Sequence, residues 1–340
     1  MKIGITYNLK TDFKGLALAA EDALEEFDSE KTVDAIASAI VKIGHEAVKL
    51  GGGEQVIGKI KNEEPSLVFN IAEGVNGRAR EAQIPALLEL LKIPYTHSDP
   101  LTLALTLDKS MTKHVVKSCG VNTPDFLVVS DTAELKGDNL PGFPLIVKPA
   151  WEGSSKGIRT NSKVNNFDEL ETQVGWVFKN YPGQPVLIEQ FIRGREITVG
   201  VIGNNPPRIL GMMEIGFKEN TKKDFIYSLE VKRDYEKLVK YTCPPGLDDK
   251  VAAKVEKMAL SAYDCLHCKD IARMDFRIDE KANAYFIEIN PLPGLSPDYS
   301  DLIIMSKKLG IEYEDIIRGI IENAVKRYNI GEKIESCTSV

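Results

Sequence analysis

Two short segments near the carboxyl end of the chain hold residues that could perform chemistry. Arg273 and Asp275 stand two positions apart in the first segment. Glu288 and Asn290 have the same spacing in the second. Because a β-strand repeats every two residues, the members of each pair lie on one face of their strand. The polar turn 279–283 is short enough to close a hairpin that brings the two faces together.

Binding of a hard divalent cation is the chemistry that this hairpin could perform. Two carboxylates that are packed together repel each other unless a cation lies between them. Carboxylate and carboxamide oxygens, without Cys or His, are the ligands that Mg²⁺ or Mn²⁺ prefers. The alternative is that these side chains form ordinary surface salt bridges. The shared face and the rigid sequence that follows, 290–294, favour the metal site.

Composition limits the class of protein. The chain has 340 residues, enough for two or three domains, and its formal net charge is −7. This charge provides no basic field for nucleic acid or for an anionic membrane. The first strand follows the start of the chain directly, without a signal peptide, and no apolar run has the length of a membrane span. We therefore expect a cytoplasmic protein without nucleic-acid or membrane partners.

The cysteines predict reduced thiols, because five is an odd number and the chain is large. Cys265 and Cys268 flank His267, a spacing that could suit a metal or redox site. A zinc site needs about four ligands, and no second cluster of Cys and His would complete it. The segment is better explained as the end of a helix.

The first part of the chain predicts a parallel α/β domain over residues 1–97, because strand and helix patterns alternate. The strands are predicted at 2–6, 45–50 and 66–70, and the helices at 31–43 and 81–91. Ligands of such sheets lie beyond the carboxyl ends of the strands. Residues 11–27 are expected to form a lid or short helices. The acidic cluster there is expected to be a solvated face; it consists of Glu21, Asp22, Glu25, Glu26 and Asp28.

The remainder predicts two further units and a frayed tail, with boundaries at 98–190, 191–330 and 331–340. The expected elements are helices at 107–119, 167–178, 301–309 and 313–328, and strands at 126–129, 143–148, 186–189, 196–201 and 208–213. The long, lysine-rich segment 216–241 lacks a clean period, which is typical of a functional loop.

A turn rich in glycine and serine, residues 149–157 and here called the Gly/Ser loop, follows a predicted strand. Its backbone N–H groups could bind phosphate oxygens, although most such turns are simple connections. The spacing of a Walker loop is absent, and the first strand does not lead into the GxGxxG pattern of dinucleotide-binding domains.

Five motifs in order resemble the ATP-grasp superfamily, and within it the D-alanine–D-alanine ligases and their relatives. They are the segments 101–113, 144–157, 186–201, 272–276 and 286–297. The resemblance implies an α/β protein with the α+β ATP-grasp fold. In this fold an N-terminal parallel α/β domain, 1–97, contacts the substrate, and two α+β subdomains, 98–190 and 191–330, clamp ATP.

The resemblance also implies ATP and Mg²⁺ or Mn²⁺ as cofactors and assigns roles to particular residues. The nucleotide residues are Lys109 and Lys148 for the phosphates, Glu189 and the backbone near Ile192 for adenine, Glu196 for ribose, and Ser154 and Ser155 in the closing loop. Asp275, Glu288 and Asn290 match the ligands of two magnesium ions. Arg273 and the backbone of Gly294 match the groups that steady an oxyanion, and Lys232 matches a lysine of the flexible loop near the γ-phosphate.

The activity implied is ligation of a carboxylate to an amine through an acylphosphate, with small amino-acid or peptide substrates and release of ADP and phosphate. A carboxylase, a thiol ligase and a non-catalytic nucleotide-binding module are the alternatives. A homodimer is what the family suggests.

Departures from the family fall at substrate-facing positions, so the resemblance does not extend to D-alanine as the substrate. The first strand ends in TYNLK instead of leading into a glycine-rich Ser-x-Glu segment. Arg233 replaces a tyrosine, His97 a glycine, and Tyr299 stands near the place of a serine. Glu73 is an alternative carboxylate for an amino group. An arginine at position 233 suggests a substrate with an extra carboxylate or a peptide C-terminus.

Overall fold

A computed structural model describes residues 1–13, 20–218, 224 and 226–330, and three β-sheets form its framework. The first unit contains strands β1 (Lys2–Thr6), β2 (Glu46–Gly51) and β3 (Leu67–Asn70), and helices α1 (Glu30–Lys42), α2 (Gln55–Glu63) and α3 (Gln83–Leu90). The strands are parallel in the order β2–β1–β3, which confirms the predicted parallel α/β arrangement. Helix α2 was not expected, because Val56 and Ile60 are its only buried residues.

The second unit is built on an antiparallel sheet in the order β4–β7–β5–β6. Its elements are α4 (Pro100–Leu107), α5 (Lys109–Ser118), β4 (Phe126–Val129), β5 (Leu145–Pro149), β6 (Lys163–Val164), α6 (Phe167–Asn180) and β7 (Val186–Gln190). The helix predicted at 107–119, with its start near Asp108 and Lys109, begins at Lys109, because Asp108 caps it. The Asp108 carboxylate accepts the N–H of Met111 at 3.0 Å. Lys109 therefore stands in the first turn of α5.

The third unit holds the five-stranded antiparallel sheet β10–β9–β8–β11–β12. Its elements are β8 (Arg195–Ile202), β9 (Arg208–Phe217), α7 (Leu229–Arg233), α8 (Tyr235–Leu238), β10 (Val239–Thr242), α9 (Asp249–Cys265), β11 (Ile271–Ile278), β12 (Ala284–Asn290), α10 (Asp301–Lys308) and α11 (Tyr313–Arg327). The predicted hairpin is confirmed as β11–β12. It lies at the edge of the sheet, with β11 also paired to β8.

The segment 216–241 is more regular than its sequence indicated. It contains the end of β9, the short helices α7 and α8, and most of β10. Elements of only four or five residues are too short for a periodic pattern to emerge. Lys222 and Lys223 lie outside the described residues.

One apolar core connects the first and last parts of the chain. Ile36 and Ile40 of α1 pack in the same buried cluster as Ile317 and Ile320 of α11. The C-terminal helix thus packs against α1, in a cluster that also contains Ile3 and Ile5 of β1. The domain limits at residues 97 and 190 stay a prediction.

The prediction of reduced thiols is wrong for two cysteines, because Cys119 and Cys265 form a disulfide that joins the ends of α5 and α9. The two residues are 146 positions apart, so the number of cysteines alone could not reveal their proximity. Cys243 and Cys268 are free thiols, and Cys337 lies outside the described residues. None of the described helices combines the length and the apolar character that crossing a membrane requires.

Candidate active site

The face of the β11–β12 hairpin carries the predicted metal ligands. Asp275 pairs with Glu288 across the two strands, and Arg273 pairs with Asn290. Nη2 of Arg273 lies 3.1 Å from Asp275 Oδ2 and 4.0 Å from Glu288 Oε1. The hydroxyl of Thr198, on β8, donates to Asp275 at 2.8 Å. The two-residue spacing therefore does bring these four side chains together.

The electrostatics of this face suit a hard cation. Burial raises the pKa of Asp275; Arg273 opposes this shift and Glu288 adds to it. Burial works against ionisation of Glu288 too, but Lys109 and Lys148 outweigh it and lower the pKa of this carboxyl. A divalent ion would offset the repulsion between two facing carboxylates.

Asn290 is needed to complete a set of three ligands. No group of three or more His, Cys, Asp and Glu in the described part of the chain has an arrangement that could hold a metal ion. The available ligand atoms are the carboxylate oxygens of Asp275 and Glu288 and the amide oxygen of Asn290. This donor chemistry fits Mg²⁺ or Mn²⁺.

Three lysines approach the hairpin from the second unit. Nζ of Lys109 lies 3.8 Å from Glu288 Oε2 and also contacts the backbone carbonyl of Glu152. Nζ of Lys148 lies 2.5 Å from Glu189 Oε1, and Nζ of Lys113 lies 2.8 Å from Glu189 Oε2. Although burial favours the neutral acid, the two lysines lower the pKa of Glu189 to about 2. Glu189 is thus a buried anion between two cations.

Lys113 had no predicted role. It follows Lys109 by four residues, one helical turn, so both side chains lie on one face of α5. Its side chain is fully buried and also donates to the hydroxyl of Thr123 at 2.8 Å. The helical spacing was a usable signal for this residue.

Two cavities meet at the hairpin. The inner cavity, of about 100 Å³, is lined by Lys148, Glu189, Ile192 and Glu196 among others. The outer cavity, of about 280 Å³, is lined by Glu73, Arg233, Gly294 and Tyr299 among others. The residues that line both cavities are Ser154, Tyr227, Lys232, Arg273 and Asp301. All three predicted substrate residues thus lie at the outer cavity.

Arg277 organises one end of the inner cavity. Its Nε donates to the carbonyl of Ile192 at 3.0 Å, and its Nη1 donates to Glu196 at 2.8 Å. The guanidinium also lies over the ring of Phe191, 5.1 Å from its centroid. Burial raises the pKa of Glu196 to about 7, with Arg277 opposing the shift. Arg277 had no predicted role, although it continues the two-residue spacing of Arg273 and Asp275.

Asp301 contacts two other residues of the wall that the two cavities share. Its Oδ2 lies 3.7 Å from Nη1 of Arg273, and its Oδ1 accepts the hydroxyl of Tyr227 at 3.2 Å. Burial lowers the pKa of Lys232 on the same wall; Asp301 opposes this shift, while Arg273 adds to it. The only signal for Asp301 in the sequence was its position as an acidic residue in the first turn of α10.

Gly294 lies beside α10 on the wall of the outer cavity. A Cβ atom at this position would lie 2.9 Å from Oγ of Ser300. The hydroxyl of Ser300 in turn accepts the N–H of Ser296 at 2.9 Å. A side chain at position 294 would therefore displace a group that holds the following turn.

Residues 20–28, here called the acidic segment, form a solvated face only in part: Glu21 is exposed, but the prediction is wrong for Asp22 and Glu26. Asp22 is 1% exposed, and the Glu26 side chain is 4% exposed. Glu25 accepts from Arg233 at 2.7 and 3.0 Å, and Glu21 accepts from Arg233 at 3.2 Å. The structure describes only part of the segment 11–27, for which a lid or short helices were predicted. A short 3-10 helix spans Lys10–Phe13, and residues 14–19 lie outside the described residues.

Glu73 lies in an environment that disfavours the charged form of its carboxyl group. Its pKa is raised well above the usual value, first by burial and then by Glu81, Glu26 and Asp28. Burial likewise raises the pKa of Asp28 to about 7, against the effect of Lys10. The outer cavity is therefore lined both by carboxyl groups, such as Glu73 and Asp28, and by cations, such as Lys232 and Arg273.

Comparison with known families agrees with this site. A family model described as "D-ala D-ala ligase C-terminus" matches residues 115–322. The D-alanine–D-alanine ligase of Aquifex aeolicus is 32% identical over 294 residues, which cover 86% of this chain and 94% of that protein. An uncharacterized protein of Sinorhizobium fredii, y4sG, is 31% identical over 306 residues and 88% of each chain.

Solved structures show the same fold. The D-alanine–D-alanine ligase from Bacillus anthracis complexed with ATP has a TM-score of 0.74 at 24% identity, covering 96% of this chain and 97% of that one. The VanG D-Ala:D-Ser ligase from Enterococcus faecalis has a TM-score of 0.71 at 20% identity, covering 95% and 99%. The chain therefore belongs to the D-alanine–D-alanine ligase family, the ATP-dependent carbon–nitrogen ligases within the ATP-grasp superfamily.

Proposed function

We propose that this ATP-dependent ligase of the D-alanine–D-alanine ligase type joins the carboxylate of one amino acid to the amine of a second amino acid or a peptide-like acceptor. One observation carries the proposal: Ser154, Lys232 and Arg273 line both cavities. ATP in the inner cavity and a carboxylate in the outer cavity would meet at this wall.

The reaction needs an activated carboxylate, because a carboxylate is a poor electrophile. Transfer of the γ-phosphoryl group of ATP to a carboxylate oxygen releases ADP and leaves an acylphosphate. An amine then attacks the carbonyl carbon, and the carbon–oxygen bond to phosphate breaks as the new amide forms. Arg273 and the backbone N–H of Gly294 would stabilise the oxyanion between these two events.

The inner cavity supplies the nucleotide contacts in this proposal. Lys109 and Lys148 would bind phosphate oxygens, and Lys232 would approach the γ-phosphate from α7. Glu189 and Ile192 would contact adenine, and Glu196 would bind the ribose. Lys113 and Arg277 would hold Glu189 and Glu196 in place. The Gly/Ser loop, with Ser154 and Ser155, would cover the phosphates and exclude water from the acylphosphate.

Asp275, Glu288 and Asn290 are the residues proposed to hold Mg²⁺ or Mn²⁺. The ion would neutralise charge on the phosphoryl group during its transfer. The Bacillus anthracis structure in complex with ATP supports nucleotide use. A cytoplasmic location and a homodimer complete the proposal as expectations from the family.

The outer cavity is proposed to select the amino acid and the acceptor. Glu73 would bind an amino group, and Tyr299 would contact the substrate. An extra substrate carboxylate at Arg233 stays a hypothesis, and it would have to compete with Glu25 and Glu21 for the guanidinium.

Release of phosphate from ATP and Mg²⁺ across a panel of D- and L-amino acids tests the proposal, with mass spectrometry of the products. We expect release that depends on an amino acid and a product that contains a new amide. Bicarbonate or a thiol as the required co-substrate would instead indicate a carboxylase or a thiol ligase. Nucleotide binding without release in the presence of any of these compounds would indicate a non-catalytic module.

A further inference from the structure

A buried ionic cluster connects the acidic segment to the Gly/Ser loop. The carboxylate of Glu26 accepts the backbone N–H of Gly153 at 2.6 Å. It also accepts from Arg80 at 2.8 and 2.9 Å and from Lys156 at 3.2 Å. The side chains of Glu26, Arg80 and Lys156 are 4%, 7% and 8% exposed. Glu26 thus connects the acidic segment to Arg80, which lies just before α3, and to the Gly/Ser loop.

The loop that Glu26 contacts has an unusual backbone. Ser154 and Ser155 have φ angles of +50° and +61°, the left-handed region that residues with a side chain seldom adopt. Such a conformation persists only where the surrounding structure holds it. Both serines line the inner cavity, so the backbone that must be held is the part of the loop that faces the proposed nucleotide.

Asp22 holds the other end of the loop. Its carboxylate accepts the N–H of Gly157 at 3.0 Å and the hydroxyl of Tyr181 at 2.5 Å. Gly157 has a φ of +73°, and a Cβ atom there would lie 2.4 Å from Pro149. The two strained serines are therefore bracketed by two glycines, and each glycine N–H is bound by a carboxylate of the acidic segment.

We propose that Glu26 is a positioning residue that fixes the Gly/Ser loop in its nucleotide-binding conformation. It acts through the N–H of Gly153 and the side chain of Lys156, both in the loop, while Arg80 keeps its carboxylate in place. Arg80 reinforces the same end of the loop, because it donates to the carbonyl of Trp151 at 2.9 Å. The inference rests on the proposed ATP site and adds a residue outside the five family motifs.

The two buried cations beside Glu26 favour its charged form. Burial opposes ionisation, but Lys156 and Arg80 lower the pKa of Glu26 to about 2. Gly153, Arg80 and Lys156 already donate hydrogen bonds to the carboxylate oxygens of Glu26. The partner of this carboxylate is therefore the loop and not the amine of a substrate. This arrangement separates Glu26 from Glu73, which faces the same outer cavity.

The test compares Glu26→Ala and Glu26→Gln with Glu30→Gln. Glu26→Gln keeps the shape and an oxygen for the Gly153 N–H but removes the charge, and it serves if the alanine variant does not fold. Glu30 is an exposed acid in the first turn of α1, so its variant removes the same charge away from the loop. Hydrogen–deuterium exchange of residues 150–157 is measured without ligand, and ADP affinity is measured by calorimetry.

We expect exchange at residues 153–155 to accelerate by about tenfold or more in Glu26→Ala, since a hydrogen bond to a charged group is typically worth that factor. ADP affinity should fall in parallel, Glu26→Gln should be intermediate, and Glu30→Gln should match the wild type. Unchanged loop exchange and ADP affinity in the Glu26 variants, with any loss confined to stability or to amino-acid KM, would overturn the proposal.

These readouts do not require turnover, so a failure of the proposed ligase reaction would be seen separately. If the wild type binds ADP but releases no phosphate with any amino acid, the exchange data still decide the role of Glu26. If the wild type binds no adenine nucleotide, both the proposed function and this inference are wrong.

Discussion

Asp275 on β11 lies directly opposite Glu288 on β12, and Arg273 contacts both carboxylates from the same face. The pair is costly without a cation, because burial already raises the pKa of Asp275 and the facing carboxylate raises it further. Arg273, at 3.1 Å from Asp275, compensates only part of the charge on this carboxylate, whereas Lys109 and Lys148 lower the pKa of Glu288. A cation bound at this face, as proposed, would offset the remaining repulsion.

Glu288→Gln should lower turnover by about two orders of magnitude or more, because it removes one charged metal ligand that faces the phosphoryl group. The measurement is phosphate release at increasing Mg²⁺ concentrations. Asp279→Asn is a matched control, since Asp279 lies in the hairpin turn and bonds within it. Full turnover of Glu288→Gln at saturating Mg²⁺ would exclude the assigned role.

Lys113→Met should destabilise the protein by about 3–5 kcal/mol, because it leaves Glu189 with one of its two buried cations. Urea unfolding without nucleotide gives the free energy of unfolding. Lys117→Met is the control: Lys117 pairs with Asp125 at the surface, where such pairs are worth at most about 1 kcal/mol. Equal effects of the two variants would mean that the buried triad contributes no more than a surface pair.

Glu196 should make the stability of the nucleotide-free protein depend on pH. Its folded-state pKa, about 7, is raised from 4.5, so the folded protein binds the proton more tightly than the unfolded chain. The stabilisation is complete below the unfolded pKa and is lost as pH rises through about 7. The advantage of wild type over Glu196→Gln should therefore shrink by on the order of 3 kcal/mol between pH 4 and pH 8.

Urea unfolding of wild type and Glu196→Gln across this pH range checks the effect of Glu196. The other buried acids, such as Glu81 and Asp28, are common to both proteins, so their contributions cancel in the difference. A difference that is constant with pH would show that folding does not raise the pKa of Glu196, and it would contradict this prediction.

Local sequence patterns correctly predicted which side chains share the face of the β11–β12 hairpin, because a strand repeats every two residues. The pairing of Asp275 with Glu288 follows from two alternating segments and a short turn. The same local spacing also contained Arg277 on β11, and one helical turn contained Lys113 after Lys109. The same spacings that indicated their neighbours therefore also indicated these two residues.

Contacts between distant segments could not be predicted in the same way. Glu26 and Gly153 are 127 positions apart, and Cys119 and Cys265 are 146 apart. The acidic segment has the composition of a solvated surface, and only its folding against Arg80 and Lys156 turns Glu26 into a buried anion. The chemistry of a charged run depends on what covers it, and one sequence does not contain that information locally.

Arg233→Ala should raise KM for the acceptor while changing the free energy of unfolding by less than about 1 kcal/mol. The small stability effect follows because Arg233 is 45% exposed and pairs with Glu25 and Glu21 near the surface, where ion pairs contribute little. The kinetic effect follows because Arg233 is next to Lys232 on α7 and lines the outer cavity.

Steady-state kinetics with several acceptors measures the effect of Arg233→Ala. The matched control is Lys237→Ala, which removes a cation from the neighbouring helix α8 at a side chain that is 79% exposed. If Arg233 also binds an extra substrate carboxylate, the increase in KM should be largest for acceptors that carry one. Kinetics that stay unchanged for every acceptor would show that Arg233 does not take part in binding the acceptor.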